Sequence, residues 1–399
     1  MTDRRAVPTT RDEMRTRNQN AVLQTVHLDG PISRAEIASR LALSPAAVTA
    51  ITAELIARGL IYEARRAESD GVGRKAILLE VDYDHAAVAG IKVSDTAVTA
   101  ALTNLNAEVV HAETRPLSRT DPEAVVGEIE RAFRTLEEHH EGPLGALGVN
   151  LPGIVDADQS TVRHSPLLGW DRVDLGDILS QRLQVPVLVE NDVNALALAE
   201  AWYGHGREHD SFLVLTLGRG VGLGIVLGGE LYRGPSGGAG EFGHVLLDPE
   251  GPELDQAARG TVESFLSDAA LLRRARARVP DFPARGGPRE LLALADGGDE
   301  GALAVYEEAG AVLGRALSIL TNVLAPSLVV LSGEGMRASE HLVPPAKRAL
   351  ERLSFGDLGA RVRLVVDHWG DDAWARGAAG LAASRYLTDA VSTFGGDAK

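Results

Sequence analysis

Apolar residues recur at helical spacing near the start of the chain: Val22, Leu23, Val26 and Leu28 share one face, and Gly30 closes the run. "ISRAEIASRLALSPAAVTAITAELIARGLI" follows. Ser33 precedes a helical stretch with Glu36 three residues on, the spacing of a capping box. After a break at Leu41–Ser44, Ser44 and Pro45 open a second helix, with Val48, Ile51, Leu55 and Ile56 facing inward and Gly59 at its end. Two short helices joined by a tight turn predict a helix-turn-helix. "IYEARRAESDGVGRKAILLEVD" then alternates like two strands around the loop Ser69–Gly73, which reads as a wing.

In such a head, Arg65, Arg66, Arg74 and Lys75 near the wing tip, with Arg34 and Arg40, are placed to meet phosphates. Ser44, Thr49 and Thr52 are the candidates for base edges. The competing reading is a three-helix packing or dimerisation module. It draws on the second helix, which carries Glu54 and no Lys or Arg before Arg58.

Beyond residue 85 the pattern changes. "AVAGIKVSDTAVTAALTNLNAEVV" and "SFLVLTLGRGVGLGIVLGGELYRG" each read as an apolar strand, a turn of small residues and a second strand. Their recurrence predicts a duplicated α/β fold with a cleft between its halves. The second turn, Gly218–Gly224, has glycines suited to cradling phosphate, although glycines also serve plain hairpins. The first, Lys92–Thr96, has none. Between the repeats, an apolar strand runs into Glu190-Asn191-Asp192 and then a helix. Asp192 there suits a general base with Asn191 beside it, or either residue is simply a helix cap. "GEFGHVLLDPEGPELDQAARGTVESF" sets Glu241, His244 and Glu263 around a polar loop that suits a metal, a sugar or neither.

Composition narrows these options. A chain of 399 residues is long enough for two or three domains. It has no cysteine, which excludes disulfides and thiolate metal sites. No apolar run reaches membrane-spanning length and no signal-peptide core is visible, so a cytoplasmic protein is expected. The net charge of −16 is uneven: residues 1–80 hold 12 basic and 10 acidic side chains, and the rest hold 28 and 46. A slightly basic head on an acidic body suggests two tasks.

Head and body together resemble the ROK family, the repressors, open reading frames and sugar kinases that share an actin-like ATPase fold. The resemblance spans nearly the whole chain. It rests on the head with its "GVGRK" wing, then "VNLPGIVDADQSTVRHSPLLGW", "VENDVNALALAEAWYG", "TLGRGVGLGIVLGGELYRG", "GGAGEFGHVLLDPEGP" and "LAPSLVVLSGEG". It implies an α/β chain: a winged helix-turn-helix over 11–82, then a two-lobed actin-like, sugar-kinase-like domain. The smaller lobe is expected over 86–190, completed by a C-terminal helix near 372–388, and the larger over 191–371.

The resemblance further implies that Asn191, Asp192, Glu241, His244 and Glu263 bind sugar, with Asp192 as a vestigial or residual general base. The family's structural zinc needs three cysteines, whose positions here are Leu254, Gln256 and Thr261. No metal and no cofactor are therefore expected, and the loop should be held by packing through Leu254 and Phe265. The family's Asp-x-Gly-Gly-Thr phosphate turn has become Lys92-Val93-Ser94-Asp95-Thr96, and Arg219 stands where a small hydroxyl residue is usual. These departures argue against ATP binding, with Lys92 expected to neutralise Asp192. The expectation is a non-enzymatic, sugar-responsive repressor with operator DNA and a sugar effector as partners, no membrane, and a homodimeric or homotetrameric assembly. The alternatives are an active sugar kinase with a DNA-binding head, a sensor of a sugar phosphate bound through Lys92 and Arg219, and a constitutive DNA binder.

Overall fold

The computed structural model describes residues 11–66, 76–255, 257–367 and 373–392. Its N-terminal part contains α1 (Arg11–Asp29), β1 (Ile32–Ser33), α2 (Arg34–Arg40), α3 (Pro45–Ala57), β2 (Ile61–Arg66) and β3 (Ile77–Val81). Both expected caps form. The Ser33 hydroxyl accepts from Glu36 N while Glu36 accepts from Ser33 N, and the Ser44 hydroxyl accepts from Ala47 N. β2 and β3 pair antiparallel as the two strands of the wing. The loop between them, with Arg74 and Lys75, lies outside the described residues.

The body is built on two five-stranded sheets. The first contains β4 (Ala87–Val93), β5 (Ala97–Asn104), β6 (Val109–Pro116), β7 (Leu147–Leu151) and β11 (Val187–Asn191). α4 (Pro122–Glu138) and α5 (Leu175–Leu183) belong with it, as does a small sheet of β8 (Ile154–Val155), β9 (Val162–Ser165) and β10 (Trp170–Val173). After α6 (Asp192–Tyr203) comes the second sheet: β12 (Phe212–Leu217), β13 (Val221–Leu227), β14 (Glu230–Leu231), β15 (Leu328–Ser332) and β16 (Arg363–Val366). Its helices are α7 (Val262–Leu266), α8 (Asp268–Arg278), α9 (Pro288–Asp296), α10 (Glu300–Leu324), α11 (Ser339–Leu353) and α12 (Leu358–Arg361), and α13 (Ala373–Ser392) ends the chain's described part.

The strand orders, β11-β7-β4-β5-β6 and β16-β15-β12-β13-β14, match position for position. In each, a three-strand meander is followed by two strands added in parallel. The duplication expected from the repeated openings is thus present in full.

Two helices exchange sides. α6 leaves the first sheet and packs on β12 and β13 of the second, whereas α13 leaves the second and packs on β4 and β7 of the first. The two also pack against each other. Their approach to the sheets is close enough to need glycine: a Cβ on Gly148 would lie 1.9 Å from the Ala378 carbonyl oxygen. Through Ala379, Ala382, Ala383 and Leu387, α13 also shares a core with Val22, Ile37 and Leu55 of the head. Head and body are therefore packed together, with α13 touching both.

Candidate ligand cleft and DNA-reading face

β11 ends in Glu190 and Asn191, and α6 begins at Asp192. Asn191 is a helix cap: its Oδ1 accepts from Val193 N (2.9 Å) and Asn194 N (3.1 Å), and its Nδ2 donates to Gly153 O (3.0 Å). Asp192 faces elsewhere. Its Oδ2 lies 2.6 Å from Lys92 Nζ, both side chains being 17% exposed, and Lys92 also sits 4.1 Å from the centre of the Trp374 ring. The neighbour that sequence reading passed over is Glu190, buried and fully engaged. It accepts from Asn191 N, Asn194 Nδ2, Gln159 Nε2 and Arg233 Nε, the last at 2.6 Å. A lone acid closing an apolar strand was a legible signal for a buried partner. Nothing local pointed to Arg233, 43 residues on.

Glu241 and His244 flank a short turn, with His244 Nε2 3.6 Å from Glu241 Oε2. Desolvation by surrounding protein raises the Glu241 pKa; His244 opposes this, the Asp192 and Glu263 carboxylates reinforce it, and His164 opposes it. Those influences place Glu241 within electrostatic reach of Asp192 and Glu263. The Glu241 side chain keeps 41% of its exposure, so the shift carries little energy. Glu263, at the start of α7, accepts from Val221 N (3.0 Å) and ties its helix to the turn between β12 and β13. His164, bonded to Asp171 at 2.7 Å, is a further group within electrostatic reach of Glu241 that the sequence reading did not single out.

The turns that open the two sheets face each other. Arg219 donates from both terminal nitrogens to Asp95, at 2.7 and 3.0 Å. This bond holds the Asp95 carboxyl below the usual carboxylate range and raises Arg219. Glu334 and Asp268 also act on Arg219. Two backbone donors of the second turn are in use, Gly218 N to Gly220 O and Val221 N to Glu263. Of the glycines read as a phosphate cradle, Gly222 and Gly224 lie within β13. There they admit α6: an added Cβ would meet Val193 Cγ2 at 2.4 Å and Ala197 Cβ at 2.6 Å respectively. Half of that glycine pattern thus serves helix packing.

In the head, the exposed side of α3 carries Pro45, Ala46, Thr49, Ala50 and Ala53. Ser44 is exposed at the helix start and Thr49 is exposed with its hydroxyl donating to Pro45 O. Thr52 corrects an expectation. It follows Val48 by one turn on the inward stripe, is fully buried, donates to Val48 O and accepts from Arg34 Nε, so it is turned away from any base edge. Arg34 also pairs with Glu63, and Arg40 pairs with Asp29. Glu54, which weakened the case for a DNA reader, is bound by Arg15 and Gln19 of α1. β2 includes Arg65 and Arg66.

Comparison with known proteins decides the family. A ROK family model matches residues 88–385, and a MarR family model matches residues 16–69. The chain belongs to the ROK family. It is 30% identical over 371 residues to the DNA-binding transcriptional dual regulator NagC of Escherichia coli, covering 90% of this chain and 91% of that protein. A solved ROK family transcriptional regulator, a homologue of the E. coli MLC protein, superposes with a TM-score of 0.83 at 28% identity, covering 95% of this chain and 98% of the other. A ROK glucokinase from Streptomyces griseus, solved with glucose and AMPPNP, gives 0.66 at 28% identity over 74% of this chain and 99% of its own. The fold is a MarR-type winged helix followed by a ROK domain with a sugar-kinase-like architecture.

Two groups that the ROK pattern implies do not fit these residues. For zinc, Leu254 offers no donor and the Thr261 hydroxyl is spent on Ala258 O; Gln256 lies outside the described residues. The loop is held instead by backbone bonds at Gly260, which accepts from Leu247 N and Asp248 N and donates to Pro252 O. Gly260 takes φ +71°, and a Cβ there would lie 1.8 Å from Asp248 O. Packing contributes at Gly251, which abuts the Phe265 ring. A nucleotide triphosphate meets a second turn ringed by Asp95, Glu263, Asp268 and Glu334, with its one guanidinium already paired. Like charges at that range repel phosphate.

Proposed function

We propose that this ROK protein is a sugar-responsive DNA-binding transcriptional regulator, a repressor whose kinase-like domain binds a sugar without phosphorylating it. The carrying observation is the Lys92–Asp192 pair: the only acid at the start of α6 able to act as base to a sugar hydroxyl is already bonded to a cation. Its similarity to NagC and to a solved ROK regulator supports the regulatory half of this reading.

In this reading Asn191, Asp192, Glu241, His244 and Glu263 meet sugar hydroxyls, since carboxylates and amides accept or donate in pairs around a polyol ring. Ser44 and Thr49 reach base edges, while Arg34, Arg40, Arg65, Arg66, Arg74 and Lys75 serve phosphates. The reading unit spans 11–82, the smaller lobe 86–190 with α13, and the larger lobe 191–371. The protein acts in the cytoplasm on operator DNA as a homodimer or homotetramer. Sugar shifts the balance only by binding one arrangement of lobes and heads better than another.

Similarity to a ROK glucokinase keeps a sugar kinase as the second reading. The deciding experiment is a thermal-shift screen of neutral sugars and their phosphates, followed by an assay of sugar-dependent ADP production with any hit. The sensor reading expects a shift of a few degrees, abolished by Glu241→Ala or His244→Ala, and no ADP. Turnover lost in Asp192→Ala establishes the kinase instead. A preference for phosphorylated sugars would require Lys92 or Arg219 to leave its carboxylate.

A further inference from the structure

Two residues that each look like damage in the sequence meet in space. Asp95 lies in the turn between β4 and β5, Arg219 in the turn between β12 and β13, and 124 residues separate them. Because the two sheets share one strand order, these are equivalent turns of the duplicated fold. The guanidinium meets the carboxylate through two hydrogen bonds, a geometry that fixes orientation as well as distance. A nucleotide bridging two such turns would join the lobes through its phosphates, and here two side chains join them directly.

We propose that the Asp95–Arg219 pair is a built-in clasp that replaces a nucleotide as the link between lobes, so that the chain alone holds the smaller lobe, with Lys92, closed over Asn191, Asp192, Glu241, His244 and Glu263 of the larger. Asp95 and Arg219 act as positioning residues. The part that concerns sugar rests on the sensor reading above, whereas the clasp itself is measurable without ligand. Its strength suits a reversible contact. Arg219 is 59% exposed, and an exposed ion pair changes an equilibrium by no more than about fivefold. Arg219 also has other acids near it. Glu334 and Asp268 act on its charge from its own lobe, so opening the clasp leaves the guanidinium with anionic neighbours.

The test exploits a chain without cysteine. Single cysteines in place of Val110 on β6 and Val323 on α10, both exposed, carry spin labels that report the interlobe distance in the full-length protein. The expected result is one narrow distance distribution in the parent, a broader or longer one in Arg219→Gln and in Asp95→Asn, and a distribution close to the parent's in Arg219→Lys, which keeps the charge. The single-variant effect should shrink as salt rises from about 0.15 to 1 M. Sugar affinity should fall by about threefold to fivefold in Arg219→Gln and Asp95→Asn. Distances in Arg219→Gln and Asp95→Asn that both superimpose on the parent's overturn the clasp. A clasp that opens as described in a protein that binds no sugar overturns the sensor reading instead. Normal sugar binding in the parent with unchanged distances in the variants overturns the clasp alone.

Discussion

Lys92 Nζ lies between the Asp192 carboxylate, 2.6 Å away, and the face of Trp374, 4.1 Å from the ring centre. The resemblance to the ROK family puts an acid at this position of the phosphate turn, and the cation found there supplies a partner to the residue expected to act as base. Both charges are mostly shielded from water, so removing one leaves the other without compensation. Lys92→Met should lower stability by about 1–3 kcal/mol in denaturant unfolding. The double variant Lys92→Met/Asp192→Asn should regain most of it, because the amide oxygen still accepts from Val193 N. A double variant as unstable as the sum of the two single ones would mean that the pair contributes nothing as a pair.

Asn191 and His244 separate stability from binding. Asn191→Ala removes an acceptor for two helix N–H groups and a donor to Gly153, and should destabilise by about 1–2 kcal/mol. His244 is 60% exposed, and His244→Ala should shift stability by less than about 0.5 kcal/mol. Both variants should lose the thermal shift given by the sugar. Retention of that shift in His244→Ala would remove His244 from the site.

How much of this was readable beforehand depended on range. Helix starts at Ser33 and Ser44, the wing strands and the duplicated meanders were legible because capping and alternation are local. The Lys92–Asp192 meeting was expected too, from the resemblance to the ROK family rather than from any local pattern. Three things were not. Thr52 lies on the inward stripe, but its polar side chain suggested an outward face. Asp95 and Arg219 each read as a lesion, since only the folded duplication brings the turns together. The Arg233–Glu190 bond and the roles of Gly222 and Gly224 required knowing which elements cross between the sheets.

His27 joins the head to the helix that leads from the cleft. It extends from α1 onto Trp202, at 4.5 Å between ring centres, and Tyr203, at the end of the helix that starts with Asp192, and its Nδ1 is 3.0 Å from the Tyr83 hydroxyl. Burial, aided by Arg207, depresses its pKa from 6.5 to about 4. The folded form therefore resists protonation while the unfolded form accepts it near pH 6.5. Stability from this group is complete above that pH and is lost as pH falls toward 4, by up to roughly 3 kcal/mol. The difference in unfolding free energy between the parent and His27→Leu, measured between pH 7 and 4, should show this slope, because contributions from other groups are common to both proteins. An equal slope in the variant would assign the acid sensitivity elsewhere.

Glu200 gives the opposite sign. It is fully buried on α6, its Oε2 accepts from His205 N at 2.8 Å, and it shares a hydrogen bond with Asp367 beyond β16. Burial, with the Asp367 bond and charge, pushes its pKa up from 4.5 to about 8. Between those values the folded protein holds a proton that the unfolded chain has released, so the contribution of this group to stability falls as pH rises from about 4.5 to 8. Glu200→Gln imitates the protonated acid: its amide donates to Asp367 while its carbonyl still accepts from His205. The variant should lack that slope and exceed the parent by a few kcal/mol at pH 8, with no gain near pH 4. Asp367→Asn should weaken the same slope, since it removes the carboxylate whose charge helps to raise the Glu200 pKa. A Glu200→Gln protein less stable than the parent at pH 8 would show that Glu200 is ionised in the fold and that α6 and β16 are joined in another way.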